Sequence, residues 1–329
     1  MTVFYDARGN IYGVVSPDFL RSKGIGVPDA ADLAANNREA WALAAIAAEC
    51  GWGALPRPAQ AKEHRCDGLL VGPFQAEPPF DVLIVNTDGS LAERSGNGLT
   101  IFAQSLTDQG LMAQGCELRV HHDKTDALSP VVTRVEPALY EQVRGFWLTL
   151  GRPGFGPSAV GAVGVGLVSL EGTEVSHVSQ LAALHPAWNN SQFVRVGNPH
   201  CVTLIQDAST LPDNAQMHRP ALFDPLRAIA FAPPAGSGQP CISGVNLQWA
   251  TRDSGNRVIA RVFERGEGPT ASSGTSASAV ACAAWSVGWV TAGEVAVVMP
   301  GGTAPVRLQA EAGELLSVSL FGTARVQER

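Results

Sequence analysis

One segment of the sequence predicts a strand, a reversal and a helix start in close succession. It reads Phe80-Asp81-Val82-Leu83-Ile84-Val85-Asn86-Thr87-Asp88-Gly89-Ser90, and Ser95-Gly96-Asn97-Gly98 follows after four residues. The run before Asn86 is apolar and strand-like, and Asp-Gly is a strong reversal signal. Beyond the glycines, apolar residues recur with the i, i+3, i+4, i+7 spacing of a buried helix face, at Leu99, Phe102, Ala103 and Leu106.

The same succession recurs in the second half of the chain. A strand-like run from Val258 to Phe263 leads into Glu264-Arg265-Gly266-Glu267-Gly268, and Ser273-Gly274-Thr275-Ser276 follows. The helical spacing then repeats at Ala277, Val280, Ala281 and Ala284. Two strand–loop–helix units, one in each half, indicate an internal duplication with one site between the halves.

Each Ser-Gly pair places free backbone N–H groups at a helix start, where the helix dipole also favours an anion. Two such starts could hold a carboxylate and stabilise the charge that develops when the proton alpha to it is removed. Ser95 and Ser273 are also common N-cap residues, and an isolated pair would most often be only a cap.

Length, charge and cysteine usage restrict the class of protein. The 329 residues predict two domains of roughly 150 residues each. The net charge of −7 argues mildly against nucleic acid or an anionic membrane as a partner. The N-terminus lacks a signal-peptide pattern, and no apolar run is long enough to span a membrane. Six scattered cysteines without a CxxC pair predict reduced thiols, so we expect a cytoplasmic protein.

Three further segments carry local predictions. The chain from Val3 to Ser16 predicts a strand and a turn, with the turn at Gly9-Asn10. A helix is predicted from about Asp32 to Cys50 and ends at Gly51, with one face formed by Trp41, Ala44, Ala45 and Ala48. The stretch from Ala232 to Gln239 is rich in glycine and proline and predicts a surface loop.

His200 is a candidate general acid or base, although a lone histidine is more often structural. It lies in Val196-Gly197-Asn198-Pro199-His200-Cys201, which predicts a break between two strands. The other histidines lack HxH or HExxH spacing, so a metal site is not expected. The glycines also lack the spacing of a nucleotide-binding fingerprint.

Taken together, these segments resemble the diaminopimelate epimerase family. Its members carry a GxGN turn, an N-x-DGS strand end that runs into CGNG, and later GNPH, G-x-N, ERGxGET and CGTG. The corresponding stretches here are Arg8-Gly9-Asn10, Asn86-Thr87-Asp88-Gly89-Ser90, Ser95-Gly96-Asn97-Gly98, Gly197-Asn198-Pro199-His200, Gly244-Val245-Asn246, Glu264-Arg265-Gly266 and Ser273-Gly274-Thr275. The match covers essentially the whole chain, in order.

The resemblance implies an α+β fold of two pseudo-symmetric domains, each a mostly antiparallel, barrel-like sheet around a central helix, with the substrate at their interface. We expect one domain to cover residues 1–128 plus about 317–329, and the other residues 129–316. The implied activity is that of an isomerase, an epimerase acting at the alpha carbon of an amino acid in amino-acid and lysine biosynthesis. The resemblance implies that no cofactor is used and that the substrate is a small amino acid, and it allows a homodimer.

The resemblance also assigns roles to individual residues. The family's two cysteines, one removing and one delivering the alpha proton, fall on Ser95 and Ser273, and the groups that assist them fall on His200 and Glu264. The residues that hold the distal end of the substrate fall on Asn10, Asn86, Asn198, Asn246 and Arg265. The alpha-carboxylate would bind at Gly96, Asn97, Gly274 and Thr275.

The departures from the family concern the chemistry. A thiol has a pKa of about 8.5, whereas the pKa of an alcohol lies far higher, so the anion of an alcohol costs roughly 10 kcal/mol more to form. Helix dipoles supply much less than that, so Ser95 and Ser273 are not expected to act as bare bases. Pro269, Ser276 and Thr100-Ile101 also depart from the family pattern and favour natural divergence over an engineered exchange.

Three functions remain open from the sequence. The first is an isomerase in which His200 and Glu264 transfer the protons while the serines relay them or form hydrogen bonds. The second is a catalytically inactive homologue that keeps the amino-acid pocket. The third is true diaminopimelate epimerase activity, either weak or in a Cys-to-Ser form of that enzyme.

Overall fold

The computed structural model describes residues 1–52, 56–57, 63–124 and 128–327. The chain forms two compact units with a mixed α/β fold. Unit 1 comprises Met1–Thr149 and Gly322–Arg329, and unit 2 comprises Leu150–Phe321.

The secondary structure up to residue 151 contains eight strands and four α-helices in the described ranges. The strands are β1 (Val3–Ala7), β2 (Asn10–Val15), β3 (Gly68–Val71), β4 (Phe80–Asn86), β5 (Leu91–Ala92), β6 (Cys116–Val120), β7 (Val131–Tyr140) and β8 (Val143–Gly151). The helices are α1 (Pro17–Ser22), α2 (Ala31–Asn36), α3 (Ala42–Cys50) and α4 (Gly96–Asp108), with a 3₁₀ turn at Arg38–Ala40.

From residue 154 to residue 327 the chain adds twelve strands and five α-helices. The strands are β9 (Gly154–Phe155), β10 (Gly166–Leu170), β11 (Thr173–His177), β12 (Ser191–Val196), β13 (Asn198–Leu204), β14 (Asn246–Arg252), β15 (Arg257–Glu264), β16 (Gly268–Thr270), β17 (Gly293–Met299), β18 (Gly302–Glu311), β19 (Glu314–Gly322) and β20 (Arg325–Val326). The helices are α5 (Pro157–Val160), α6 (Ser179–Leu184), α7 (Asn214–Met217), α8 (Pro220–Ala230) and α9 (Gly274–Ser286), with a 3₁₀ turn at Ala208–Thr210.

In unit 1, hairpins alternate with two parallel pairings. β1 and β2 form an antiparallel hairpin, β2 runs parallel to β3, and β3 is antiparallel to β4. β4 also pairs antiparallel with the short β5 and parallel with β6, and β6, β7 and β8 continue as antiparallel neighbours. A parallel pairing requires a crossover, and α1 to α3 provide it between β2 and β3, while α4 provides it between β4 and β6.

The pairing order of unit 2 repeats that of unit 1. β12 and β13 form a hairpin, β13 runs parallel to β14, and β14 is antiparallel to β15. β15 pairs antiparallel with the short β16 and parallel with β17, which continues into the antiparallel strands β18 and β19. α7 and α8 cross between β13 and β14, and α9 crosses between β15 and β17. β9, β10 and β11 extend the sheet beside β12.

The crossover helices α4 and α9 have the predicted positions. Each begins at the glycine of a predicted Ser-Gly pair, and the strands Phe80–Asn86 and Arg257–Glu264 that precede them confirm the two strand–loop–helix predictions. α9 packs against β12, β13, β14, β15, β17 and β18 of its own unit. Its residues from Thr275 to Ala284 are all buried, as expected for a helix of small side chains that has sheet on several sides.

The predicted helix from Asp32 to Cys50 is divided into pieces, so its predicted continuity is wrong. The break follows Asn37, which leaves the helical conformation with φ −108° and ψ 20°. The indole N–H of Trp41 donates to the carbonyl oxygen of Ala34 at 2.9 Å, and this contact favours the folded-back path over a continuous helix. Helical periodicity in a sequence does not reveal side-chain contacts that fold the chain back on itself.

The predicted face of this segment is wrong in part. Ala45 and Trp41 are buried, whereas Ala44 and Ala48 are exposed. After the break, α3 buries a stripe formed by Ala42, Ala45, Ile46, Glu49 and Cys50. Gly51 follows the last helical residue, as predicted.

Each unit has an apolar core of its own. In unit 1, Trp41, Leu69 and Leu83 belong to one cluster beneath α2 and α3. In unit 2, Phe193 and Trp249 belong to a cluster beneath α6 and α8. Burial of each large side chain contributes about 1.5–3 kcal/mol, and the strands that carry the polar residues described below are therefore firmly held.

The state of the cysteines and the apolarity of the helices bear on the predictions made from composition. All six cysteines are buried and free of disulfide bonds. Among the described residues, no helix is both long and apolar enough to cross a membrane.

Candidate active site

In unit 2, three neighbouring strands bring the predicted site residues to one edge of the sheet. The parallel strands β13 and β14 begin at Asn198 and Asn246, and the antiparallel strand β15 ends at Glu264. Parallel neighbours begin at the same edge, and an antiparallel neighbour ends there. The side-chain oxygen of Asn246 accepts a hydrogen bond from the backbone N–H of Arg265 at 2.8 Å, which ties the end of β15 to the start of β14.

α9 follows β15 and the short strand β16 in the chain, and its start supplies hydrogen-bond donors. Ser273 is its N-cap and accepts a hydrogen bond from the backbone N–H of Ser276 at 3.4 Å. The N–H groups of Gly274 and Thr275 have no acceptor within an α-helix, because the carbonyls that would bind them lie before its start. This helix start therefore suits a carboxylate, as the sequence predicts.

Glu264 has the electrostatic properties of a base that works near neutral pH. Burial raises the pKa of its carboxyl group to about 7, with a further increase from the negative charge of Glu267. The nearby hydroxyl groups of Ser273 and Thr270 favour the carboxylate form and offset part of that increase. A carboxyl group with this pKa can both take up and release a proton at physiological pH.

His200 lies inside β13, so the predicted break between strands is shorter than expected. Only Gly197, with φ +68°, forms the turn between β12 and β13, and both Asn198 and His200 belong to the strand. The imidazole is completely buried. Desolvation, together with the nearby positive charges of Arg265 and Arg195, lowers the pKa of His200 to about 3, so the ring is neutral.

Two residues around His200 were not identified from the sequence. The side-chain amide nitrogen of Gln248 donates to Nδ1 of His200 at 3.1 Å and to Oγ of Ser276 at 3.0 Å, and all three residues are buried. Gln248 follows Asn246 by two positions, so the strand period of two points both side chains to the same face. That spacing, together with the Ser276 departure from the family pattern, is the signal that could have found them.

The Gly244-Val245-Asn246 segment needs a glycine at its first position because of its backbone conformation and its close neighbours. Its φ is +72°, and a Cβ at this position would lie 2.5 Å from the backbone oxygen of Ala230 and 2.8 Å from Cδ of Arg265. The backbone N–H of Val245 donates to the same Ala230 oxygen at 2.8 Å. The close approach therefore sets the path by which the chain enters β14 at Asn246.

We expect Gly244→Ala to lower the free energy of unfolding by about 2–4 kcal/mol, since the left-handed backbone and the overlap with Ala230 both oppose a side chain. Gly288→Ala is the matched control, because Gly288 has φ +73° but open space around its Cβ position. It should cost only about 1 kcal/mol. Urea denaturation measures both variants, and equal losses would show that the close approach is unimportant.

Unit 1 arranges its predicted residues in the same way. β2 begins at Asn10, its parallel neighbour β3 begins at Gly68, and the antiparallel β4 ends at Asn86, which pairs with Gly68. The side chain of Asn97 in the first turn of α4 donates to Oδ1 of Asn10 at 2.5 Å. The structure therefore joins Asn10 to the start of α4.

The remaining predicted residues of unit 1 have local partners. The amide of Asn86 donates to Oγ of Ser90 at 2.9 Å, and Ser95, the N-cap of α4, accepts from the backbone N–H of Gly98 at 3.0 Å. Asp67 was not identified from the sequence. Its carboxylate accepts from the backbone N–H of Ile11 at 2.9 Å and from the Asn10 amide at 3.4 Å.

Arg265, another predicted site residue of unit 2, is held by a contact with the backbone. The guanidinium of Arg265 donates to the backbone oxygen of Ser243 at 2.7 Å, which fixes it beside the Gly244 turn. Within the described ranges, no group of three or more His, Cys, Asp or Glu side chains has the geometry of a metal site.

Comparison with known proteins gives consistent results. The model of the family described as diaminopimelate epimerase matches residues 192–326. Diaminopimelate epimerase of Laribacter hongkongensis is 31% identical over 75% of this chain and 73% of its own, and diaminopimelate epimerase 2 of Nostoc sp. is 28% identical over 74% of each. A phenazine biosynthesis protein of the PhzF family from Bacillus anthracis has a similar fold, with a TM-score of 0.58 and 11% identity over 99% of this chain and 96% of its own.

Proposed function

Because this chain belongs to the diaminopimelate epimerase family, we propose that it is an isomerase that acts at the alpha carbon of an amino acid, with Glu264 as the base. In this proposal Ser95 and Ser273 occupy the positions of the family's two cysteines. The two units, which share one pairing order, then correspond to the family's two pseudo-symmetric domains.

The observation that carries this proposal is the environment of Glu264. Its carboxyl group is next to the Ser273 hydroxyl at the start of α9, and its pKa is raised to about 7. An ordinary glutamate has a pKa of about 4.3 and would be a much weaker base toward a carbon acid. The raised pKa therefore compensates in part for the lost thiolate.

The chemistry of the step follows from these groups. The N–H groups of Gly274 and Thr275 bind the substrate's alpha-carboxylate, where negative charge increases as the alpha C–H bond breaks. An oxygen of Glu264 takes the proton, and the electron pair of the C–H bond spreads into the carboxylate. Glu264 then exchanges this proton with the solvent and returns a solvent-derived proton to the same face, which completes exchange without inversion. Inversion requires a second donor on the other face, and with Glu264 alone the reaction would instead move a double bond or eliminate a group.

The two serines support this step without acting as bases. Both hydroxyl oxygens accept hydrogen bonds from the backbone N–H three residues along, at Gly98 and Ser276, as N-caps do. Ionisation would cost roughly 10 kcal/mol more than for a thiol. We propose that Ser273 relays or stabilises charge through its contact with Glu264.

His200 has a different role from the one expected of an acid–base group. With a pKa of about 3, the imidazole does not take up a proton at neutral pH. Of the two groups that the sequence nominates for proton transfer, we therefore propose only Glu264 as the base. The neutral His200 remains available as a hydrogen-bonding group.

We also propose which residues bind the rest of the substrate. Two sets of residues would bind the amino acid. Those proposed for its distal part are Asn10, Asn86, Asn198, Asn246 and Arg265, and those proposed for its alpha-carboxylate are Gly96, Asn97, Gly274 and Thr275. Diaminopimelate is the first substrate to test because the relatives are named for it. A role in lysine biosynthesis holds only if this substrate responds.

The direct test is exchange of the alpha proton in D2O. The protein is incubated with LL- and meso-diaminopimelate and then with a panel of other amino acids, and the alpha-proton signal is followed by NMR. Loss of the signal supports the isomerase and identifies its substrate. A ligand that broadens on binding while its alpha proton persists would favour the catalytically inactive binding homologue.

The pH dependence of exchange gives an independent prediction. Because the pKa of Glu264 is raised to about 7, the carboxylate form predominates only above that value. We expect kcat/KM for exchange to rise between about pH 6 and pH 8, since it reports the ionisation of the free enzyme. A flat profile from pH 5 to pH 9 would exclude Glu264 as the base.

A further inference from the structure

A buried polar network connects His200 to the first turn of α9. Gln248 on β14 donates through one amide nitrogen to Nδ1 of His200 on β13 and to Oγ of Ser276. Each of these three residues is 0% exposed. Buried hydrogen bonds of this kind are worth more than exposed ones, and they fix the groups they join.

The network determines which nitrogen of His200 carries the proton. Nδ1 accepts from Gln248, so its lone pair is occupied and the single proton of the neutral ring lies on Nε2. The reverse orientation of the Gln248 amide would bury two amide N–H donors without acceptors, whereas the present one leaves one unpaired donor, Nε2–H of His200, beside the amide carbonyl oxygen. Unpaired buried donors are the rarer and more costly case, which favours the Nε2–H form.

Nε2 of His200 is a polar atom of this network that lacks a hydrogen-bond partner among the described residues, and it is completely buried. A buried N–H without an acceptor costs about 1–3 kcal/mol. This cost disappears when a bound ligand supplies the missing acceptor.

We propose that Gln248 is a positioning residue that fixes His200 as the Nε2–H tautomer, so that the neutral imidazole donates a hydrogen bond to an oxygen of the substrate. Ser276 holds Gln248 in place. The identity of the acceptor as a substrate oxygen rests on the proposed function. The tautomer itself does not.

The charges around His200 agree with a donor role. Arg265 and Arg195 are the charged groups that act on the ring, and both disfavour a second proton on it. Gln248 is the polar partner from the neighbouring strand and Ser276 the one from α9. A neutral donor can stabilise charge on a substrate oxygen without losing its proton.

The first experiment measures the tautomer in the native protein. Long-range ¹H–¹⁵N correlation spectra of protein labelled in its histidines separate protonated from unprotonated ring nitrogens, and the His200→Gln variant assigns the signals of His200. We expect Nε2 protonated and Nδ1 unprotonated, unchanged between about pH 5.5 and pH 8.5. A protonated Nδ1, or a ring that titrates in this range, would overturn the proposal.

The second experiment changes the partner of Nδ1. In Gln248→Glu a carboxylate faces Nδ1 and can only accept, so we expect Nδ1 to become protonated and the pKa of His200 to rise. Thr203→Val is the control, because Thr203 is a buried polar residue of β13 outside the network, and its spectra should match the native protein. An unchanged Nδ1 in folded Gln248→Glu would overturn the assignment.

Activity supplies a third readout for the substrate contact. For the substrate that exchanges, we expect Gln248→Glu to lower kcat by about 10- to 100-fold and to add a titration limb to the pH profile. Native kcat with no added limb would contradict the substrate contact. If the native protein exchanges no amino acid, the proposed function fails, yet the native spectra still decide the tautomer.

Discussion

Glu264→Gln is expected to reduce alpha-proton exchange by about 10²- to 10⁴-fold, the usual contribution of a general base. The amide keeps the size and hydrogen-bonding capacity of the side chain but cannot accept a proton under these conditions. Its neighbour Ser273 and the start of α9 should still bind the carboxylate, so the loss should fall on kcat rather than on KM. The measurement is the initial rate of deuterium incorporation in D2O at pH 8.

Glu267→Gln is the matched control for this prediction. Glu267 is an exposed residue in the turn that follows Glu264, and its negative charge raises the pKa of Glu264. Its removal should leave exchange at high pH nearly unchanged and move the midpoint of the pH profile to a lower value. A Glu264→Gln variant that exchanges within about threefold of the native rate would show that another group is the base.

The Ser95→Cys/Ser273→Cys double variant is expected to accelerate exchange by at least about 10²-fold and to introduce inversion at the alpha carbon. Thiols at these two positions remove most of a gap of roughly 10 kcal/mol in the cost of the anion. Each new cysteine would lie at a helix N-terminus, which lowers the pKa of a thiol. NMR in D2O measures exchange, and chiral chromatography measures inversion.

The serine-to-alanine variants at the same two positions are the controls for this gain. They remove an N-cap at a cost of about 1 kcal/mol each but supply no base. We expect them to exchange no faster than the native protein. A folded double-cysteine variant that is no faster than the native protein on every amino acid tested would contradict the assignment of Ser95 and Ser273 to the cysteine positions.

Local patterns predicted a strand and the helix that follows it in each unit. The strand from Phe80 to Asn86 and the helix after Ser95 were found because apolar periodicity and the Asp-Gly reversal are properties of neighbouring residues. The second strand–loop–helix segment was found in the same way. The resemblance to the family rests on these motifs and on their order.

Local patterns failed where a distant contact determines the path of the chain. The segment from Asp32 to Cys50 has helical spacing throughout, yet Trp41 turns back to the carbonyl oxygen of Ala34 and a break results. The strand assignment of His200 was missed for a related reason. Pairing with the parallel strand that begins at Asn246 draws the residue into the sheet.

The sequence alone determined the two strand–loop–helix segments, the Ser-Gly helix starts and the family, because these depend on residues close together in the chain. Only the tertiary structure decided the pKa of Glu264 near 7, the neutral state of His200 and the partnership of His200 with Gln248. Those properties depend on desolvation and on charges and hydrogen bonds from distant segments. They exist only once β13, β14, β15 and α9 pack together.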